Sequence, residues 1–184
     1  MNRIRLQRRR IFLGCEGESE QSYGSLLHHL VDARGHLNIE PVVLQPGGGD
    51  PLAIVERAFY IIQRKERAYG ERYFYRGVLL DRDTYGQNPG RDQQIQGLII
   101  AAKLHLIWQH PTHEAFLLRH LPGCQKLRPR NTAEAIARLR EHWSGYEKGA
   151  PMTYLRARLN LDNIRAACTV EPELESFLKA INYF

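Results

Sequence analysis

The sequence predicts an α/β fold with a mostly parallel central sheet of about four strands, flanked by helices, and a helical C-terminal third. Four short apolar segments alternate with stretches whose apolar residues recur at helical spacing. Strands separated by helices need crossover connections, which place them parallel in one sheet. The 184 residues are 43% hydrophobic and 25% charged, ordinary values for a globular chain that buries a core. We therefore expect a single domain over residues 1–184, with an α/β core at 1–121 and a helical extension at 122–184.

The first strand is predicted at residues 10–15, an apolar run that the turn at Gly17 closes. A helix is predicted from Ser19 onward, because apolar side chains recur there every three or four residues and Gly35 suits the end of a helix. The members of this apolar stripe are Tyr23, Leu26, Leu27, Leu30 and Val31.

The second strand is predicted at residues 40–44, followed by a glycine-rich loop at 47–49. Asp50 as the N-cap and Pro51 as the first helical residue predict the start of the next helix. The apolar side chains behind this start are Val55, Phe59 and Ile62.

The third strand has the strongest pattern, because residues 73–80 are rich in aromatic and aliphatic side chains and end at Asp81. A helix at 91–102 and a fourth strand at 104–108 follow. From there only helices are predicted. They lie at residues 112–121, from Asn131 onward with Glu134 as its capping partner, around 154–167 and around 173–181.

Charge and cysteine content restrict the function classes. The net charge of +6 and the pI near 9.4 favour an acidic partner such as nucleic acid. Cys15, Cys124 and Cys168 are an odd number without CxxC spacing, which supports neither a disulfide framework nor a zinc finger. No apolar run approaches the roughly 20 residues of a membrane span. We therefore expect a cytoplasmic protein that does not bind membranes.

Two acidic clusters fall at predicted strand ends. Glu16, Glu18 and Glu20 follow the first strand, and Asp81 and Asp83 follow the third. Sites of parallel sheets form at the carboxyl ends of strands, and Asp81 and Asp83 can face one side because side chains alternate in an extended chain. Carboxylates held together suit Mg²⁺ or Mn²⁺, which can activate water and stabilise charge on a phosphate. The alternative is that these acids are solvated loop residues or favourable helix-start charges, as Glu18 and Glu20 would be.

These residues resemble a known family. A Glu-Gly pair after the first strand and a later Asp-x-Asp are similar to the Toprim fold of topoisomerases, primases and some nucleases. Residues 15–23 (CEGESEQSY), 79–86 (LLDRDTYG) and 110–121 (HPTHEAFLLRHL) resemble the three signature blocks of RloB proteins, and the resemblance extends to 145–148 (GYEK). It implies a Toprim-type nuclease of a bacterial defence or mobile-element system, often encoded beside an ABC- or AAA-type ATPase.

Carried over residue by residue, the resemblance makes Glu16 the Toprim glutamate, which acts as a general acid/base or a metal ligand. Asp81 and Asp83 become the metal-binding pair, with Mg²⁺ or Mn²⁺ as the cofactor. Glu114 occupies the acidic position of the third block, with a supporting catalytic role. The block departs from the family at its start, because His110 stands where an asparagine is usual.

Basic residues are candidates for contacts to a phosphate backbone, which bind without reading sequence. One group lies in the arginine-rich N-terminal arm that begins at Arg3, for which a solvated, fraying end is the alternative. The predicted nucleic-acid-binding residues are Arg8, Arg9, Arg10, Lys126, Arg128, Arg130 and Lys148.

Other reactive residue types have simpler interpretations. Cys15 lacks a spaced His or Asn partner, which favours a buried structural thiol over a nucleophile. The place of Tyr23 on the apolar stripe favours a core aromatic over a covalent tyrosine. Glycines 47–49 are not followed by a GK[ST] sequence, so any ATPase would be a separate partner. Four histidines crowd the fourth strand and its helix, but without the HExxH spacing of zinc enzymes: His105, His110, His113 and His120.

The leading hypothesis is a metal-dependent phosphodiesterase acting on DNA or RNA, with Glu16, Asp81 and Asp83 in one pocket. The alternative is a non-hydrolytic Toprim-like module that binds nucleic acid or an ATPase partner. A third hypothesis, nucleotidyl transfer of the primase type, lacks a supporting zinc- or template-binding segment. The enzyme hypothesis requires the first and third strands to end at the same edge of the molecule.

Overall fold

A computed structural model describes residues 8–32, 35–44, 50–82 and 85–184. Four features considered in the sequence lie outside these residues: Arg3 in the N-terminal arm, the glycine-rich loop at 47–49, and Asp83 of the predicted metal pair with its neighbour Thr84.

The core of the fold is a four-stranded, all-parallel sheet in the order β2-β1-β3-β4. The strands are β1 (Arg9–Cys15), β2 (Leu37–Val43), β3 (Tyr75–Asp81) and β4 (His105–Gln109). The predicted α/β class, the parallel sheet and the helical C-terminal part are confirmed, and the architecture is consistent with a Toprim-like fold.

The helices of the described residues are α1 (Glu18–Asp32), α2 (Pro51–Tyr69), α3 (Pro89–Ala102), α4 (His113–Leu118), α5 (Thr132–His142), α6 (Met152–Arg156), α7 (Leu161–Cys168) and α8 (Pro172–Ala180). Four of the helices, α2, α3, α5 and α7, begin at a residue whose side chain caps the first turn. Asp50 and Asn131 each accept a backbone N–H bond as N-caps, at 3.2 Å from Ala53 and 2.9 Å from Glu134.

Helices cover both faces of the sheet, as right-handed crossovers require. Alternating side chains of β1 enter two separate cores: Leu13 packs with α1 and the C-terminal helices, whereas Phe12 packs with α2 and α3. The connection from β1 to β2 runs in one direction along the sheet and the connections to β3 and β4 run in the other. For this reason α1 and α3, which follow the adjacent strands β1 and β3, lie on opposite faces.

The C-terminal helices are part of the same packing as the sheet. The ring of Phe177 in α8 lies against Gly77 of β3, where a methyl group would come within 2.5 Å of the ring. Gly77 is therefore the residue that lets α8 approach the strand so closely.

One predicted helix is wrong. The stretch around residues 154–167 is two helices, α6 and α7, rather than one. The break occurs because the Asn160 side chain accepts the backbone N–H bonds of Asp162 and Asn163, which starts a new helix at Leu161. The helix predicted at 112–121 also ends early, at Leu118, and the chain continues in tight turns.

Among the described residues, no helix combines the length and the apolar character needed to cross a membrane.

Candidate active site at the carboxyl edge of the sheet

The chain places β2 on one side of β1 and then places β3 and β4 on the other side, so the order of the strands reverses between β1 and β3. The helices that follow these two strands diverge to opposite faces, which is the arrangement that forms a crevice outside the carboxyl ends of the strands in open α/β sheets. Ligands of open α/β sheets bind in crevices of this kind. The strands are also in register there, with Cys15 opposite Leu79, so the loops that follow them begin side by side.

Glu16 and Asp81 meet in this crevice. Glu16 directly follows β1, and Asp81 is the last residue of β3. The Glu16 carboxylate accepts a hydrogen bond from the backbone N–H of Asp81, with Oε2 3.2 Å from the nitrogen. The first and third strands therefore end at the same edge, as the enzyme hypothesis requires, and two of the predicted acidic residues lie together.

Glu20 has a structural role at the start of α1. Its Oε2 accepts a hydrogen bond from the backbone N–H of Gly17 at 2.9 Å. Gly17 is the residue before the helix and Glu20 is the third residue of the helix, so this is the side-chain-to-N-cap bond of a capping box. Its other oxygen lies 3.7 Å from Nδ1 of His113. The helix-start interpretation is thus correct for Glu20, which also connects the β1–α1 turn to α4.

A buried polar layer lies beneath the edge. Gln109, which is opposite Asp81 in the β3–β4 register, donates from Nε2 to Nδ1 of His113 at 2.7 Å. Glu114 is 1% exposed, and one of its oxygens accepts a hydrogen bond from the Thr112 hydroxyl at 3.0 Å. Within the described part of the chain, Gln109 Oε1, His113 Nε2 and Glu114 Oε1 have no hydrogen-bond partner. Sequence reasoning missed Gln109, for which only its place after an apolar strand was a signal.

Lys148 reaches this layer from the C-terminal part of the chain. Its Nζ lies 3.9 Å from Glu114 Oε1, while 70% of the side chain is exposed. The segment is held in place by the backbone N–H of Gly149, which donates to the Ser19 hydroxyl at 3.0 Å. Burial, together with the charges of Glu114 and Glu20, raises the pKa of nearby Tyr146. The segment at 145–149 therefore lies beside Glu114 and the start of α1.

Three of the remaining predicted nucleic-acid contacts lie far from this edge. Arg8, Arg9 and Arg10 are at the opposite, amino-terminal end of β1, about 20 Å from the carboxyl edge at ~3.3 Å per residue. Arg10 takes part in the fold: its Nε is 2.9 Å from Glu40 Oε1, and its side chain is only 11% exposed. The predicted contacts Lys126, Arg128 and Arg130 are exposed in the connection between α4 and α5.

Cys15 and Tyr23 are both fully buried, which confirms the structural interpretations. Burial and the charge of Glu20 raise the pKa of the Cys15 thiol, and burial raises that of the Tyr23 phenol. The hydroxyl of Tyr23 donates to Nε2 of His120 at 2.8 Å, because the other ring nitrogen of His120 must donate to the Phe116 carbonyl. His105 lies apart from this group, at the start of β4 against Tyr75.

The buried His120 makes the stability depend on pH. Burial lowers its pKa from 6.5 to about 3, so below pH 6.5 the unfolded chain binds a proton that the folded chain does not. We expect this contribution to be complete above pH 6.5 and to be lost as the pH falls toward 3, by up to about 1.4 kcal/mol per pH unit. Denaturant unfolding at pH 7, 6 and 5 checks this. As the pH falls, the free energy of unfolding should decrease less steeply in the His120→Gln variant than in wild type. Equal slopes against pH would contradict the assignment of this pH dependence to His120.

The donor chemistry of the edge fits a hard divalent cation. Within the described ranges, which leave out residues 83 and 84, no three side chains of the His, Cys, Asp and Glu types form a group able to hold a metal. Mg²⁺, however, is commonly held by one or two carboxylates and completed by water and substrate phosphates. Glu16 and Asp81 each bring one carboxylate to neighbouring positions of the edge, because the Glu16 carboxylate lies against the Asp81 backbone.

The edge also carries an exposed cation that sequence reasoning passed over. Arg82 follows Asp81 directly, and its backbone N–H donates to the Gln109 carbonyl at 3.0 Å, which fixes the chain as it leaves β3.

Comparison of the chain with protein-family models, with curated proteins and with solved structures gives no match.

Proposed function

We propose that the chain is a metal-dependent phosphodiesterase that hydrolyses DNA or RNA at its carboxyl edge. The observation that carries the proposal is the hydrogen bond between Glu16 and the Asp81 backbone, which joins two acidic strand ends at the point where the sheet reverses. The positive net charge of +6 supports a polyanionic substrate. The resemblance of four sequence blocks to RloB proteins supports the same activity.

In this proposal each residue of the edge has a separate task. Glu16 and Asp81 would hold a Mg²⁺ or Mn²⁺ ion, with Asp83 as an additional ligand. When bound, the ion would supply Lewis-acid stabilisation of phosphate charge and a lowered pKa of the water it binds. Glu16 is also the residue that can take up or return a proton at the reacting oxygen.

Cations around the edge hold the substrate. Arg82 and Lys148 are exposed there and bind phosphates that flank the reacting one. Glu114 is too buried to touch substrate, so its supporting role is to hold Lys148 at the edge through their ion pair.

The setting of the activity is also a proposal. The three cysteines are free and buried, which supports a reducing compartment such as the cytoplasm. The resemblance to RloB proteins supports a role in a bacterial defence system with a separate ABC- or AAA-type ATPase as partner.

The test compares wild type with Asp81→Asn on labelled DNA and RNA, with Mg²⁺, with Mn²⁺ and with chelator, and the assay is repeated with any ABC- or AAA-type ATPase that is encoded beside the chain. We expect cleavage only by wild type and only with metal. Cleavage that persists in the variant with chelator present would exclude this site.

A non-hydrolytic binding module is the second candidate. It is favoured by the lack of a three-ligand metal group among the residues outside 1–7, 33–34, 45–49 and 83–84. It predicts that the wild type binds oligonucleotide or the ATPase without cleaving any substrate, so the same experiment separates the two functions.

A further inference from the structure

A groove opens at the amino-terminal edge of the sheet, opposite the candidate active site. It has a volume of about 560 Å³ and lies between the second half of α2, the residues that begin β3 and the end of α3. Its size falls within the range of binding pockets for small molecules or single nucleotides. The side chains that define it, called the amino-edge groove below, are Phe59, Glu66, Arg72, Phe74, Arg76 and Lys103.

The side chains that line the groove carry more positive than negative charge. Arg76 and Glu66 neutralise each other in an ion pair of 2.6 Å, and Arg76 also donates to the Ala102 carbonyl at 2.7 Å. Arg72 and Lys103, by contrast, are exposed on the rim. Arg9 adds a third cation, because its guanidinium carbon lies 4.6 Å from the centroid of the Phe74 ring. The groove therefore attracts an anion.

Aromatic surface accompanies this charge. Phe74 lines the groove with 48% of its surface exposed, and Phe59 is half-buried in the wall. The Arg9 guanidinium lies over one face of the Phe74 ring, and a ring that stays partly exposed beside cations is the combination on which unpaired bases stack while their phosphates are neutralised. An acidic peptide would use the cations but has no equal need for the exposed ring.

We propose that the amino-edge groove binds single-stranded nucleic acid, with a base stacked on Phe74 and the adjoining phosphates held by Arg9, Arg72 and Lys103. This surface is separate from the proposed phosphodiesterase site, because the two lie at opposite ends of strands that are about 20 Å long. The amino-edge groove would be a second binding surface for a polynucleotide. It would also give a function to Arg9, one of the phosphate contacts predicted from the sequence.

The experiment measures binding of fluorescein-labelled 12-mers of oligo(dT) and oligo(rU), and of a 12-base-pair duplex, by fluorescence anisotropy in EDTA. We expect tighter binding of the single strands than of the duplex. Phe74→Ala should weaken single-strand binding by about tenfold. The plot of the logarithm of the association constant against the logarithm of the salt concentration should become less steep, by about 1.4, in the double variant Arg72→Gln with Lys103→Gln. Each lost phosphate contact removes about 0.7 from the steepness for a single strand.

The chain offers a matched control on the outer surface of α2. Arg57 lies 5.7 Å from the ring centroid of Tyr60, which is 54% exposed, so the same chemistry is present outside the groove. Arg57→Gln with Tyr60→Ala should bind as wild type does. An equal loss in this control, wild-type affinity in Phe74→Ala, or binding of a Glu-rich peptide in place of oligonucleotide would each overturn the proposal.

Failure of the proposed cleavage would not affect this test. Binding is measured without metal and repeated with the Asp81→Asn chain, whose groove residues are unchanged. A chain that cleaves nothing still satisfies the inference if Phe74→Ala weakens binding, and a chain that cleaves normally still contradicts it if Phe74→Ala has no effect.

Discussion

Replacement of Glu16 by glutamine is expected to abolish nucleic-acid cleavage, with a loss of at least about 10²-fold in rate, the range found when a general acid or base is removed. The amide keeps the size of the side chain and an oxygen that can accept the Asp81 N–H bond, so the turn after β1 should keep its shape. What disappears is the negative charge that holds a cation and the group that exchanges a proton.

The control for this variant lies two residues away. Glu18 is an exposed glutamate in the first turn of α1, with the same charge and nearly the same place in the chain. Glu18→Gln should therefore cleave at close to the wild-type rate, apart from a small loss of favourable interaction with the helix dipole. Single-turnover cleavage rates under saturating Mg²⁺ provide the measurement. If both variants cleave equally well, Glu16 has no special part in the reaction.

A second readout separates charge loss from misfolding. Circular dichroism and the denaturation midpoint of Glu16→Gln should match those of wild type, since Glu16 is at the edge of the sheet and not in either hydrophobic core. The variant should also lose the stabilisation that millimolar Mg²⁺ gives the wild type, because only a folded state that binds the ion gains from it. A variant that is still stabilised by Mg²⁺ would place the ion at another site.

The strands and the common edge were predictable because they depend on local patterns. Short apolar runs bounded by turn residues, such as residues 10–15 and 73–80, are typical of buried strands, and parallel pairing then brings their carboxyl ends together. The position of Glu16 and Asp81 at the same edge follows directly from this topology, because each residue stands at the carboxyl end of its strand. The start of α2 at Pro51 was predictable for a similar reason, since Asp50 and Pro51 satisfy the requirements of a helix start within two residues.

The rest depends on contacts between distant parts of the chain. Lys148 and Glu114 are 34 positions apart, and no local pattern indicates their ion pair. The separation of Arg9 from the carboxyl edge likewise follows from the direction of β1 rather than from its charge. The break at Asn160 was missed because a side chain that caps one helix looks, in sequence, like an ordinary polar residue within a longer one.

Loss of the buried Arg119 charge is expected to cause the largest change in stability. Arg119 closes α4 and Glu171 precedes α8, and their ion pair is almost completely buried, so it ties the C-terminal helices to the core. Burial raises the pKa of Glu171 although the Arg119 guanidinium beside it acts in the opposite direction. Arg119→Met should cost about 3–5 kcal/mol, because it leaves a carboxylate buried without its cation.

The double variant Arg119→Met with Glu171→Leu gives the sharper test. If desolvation outweighs the attraction within the pair, as the raised pKa of Glu171 indicates, replacing both charges should restore most of the free energy of unfolding. Urea denaturation at pH 7 measures the free energy of unfolding, and in thermal unfolding the midpoint temperature should fall by roughly 10 °C in the single variant only. The exposed pair of Arg138 and Glu141 is the control, since Arg138→Met should cost less than about 0.5 kcal/mol. A double variant no more stable than Arg119→Met would instead mean that the pair contributes a net attraction that apolar side chains cannot replace.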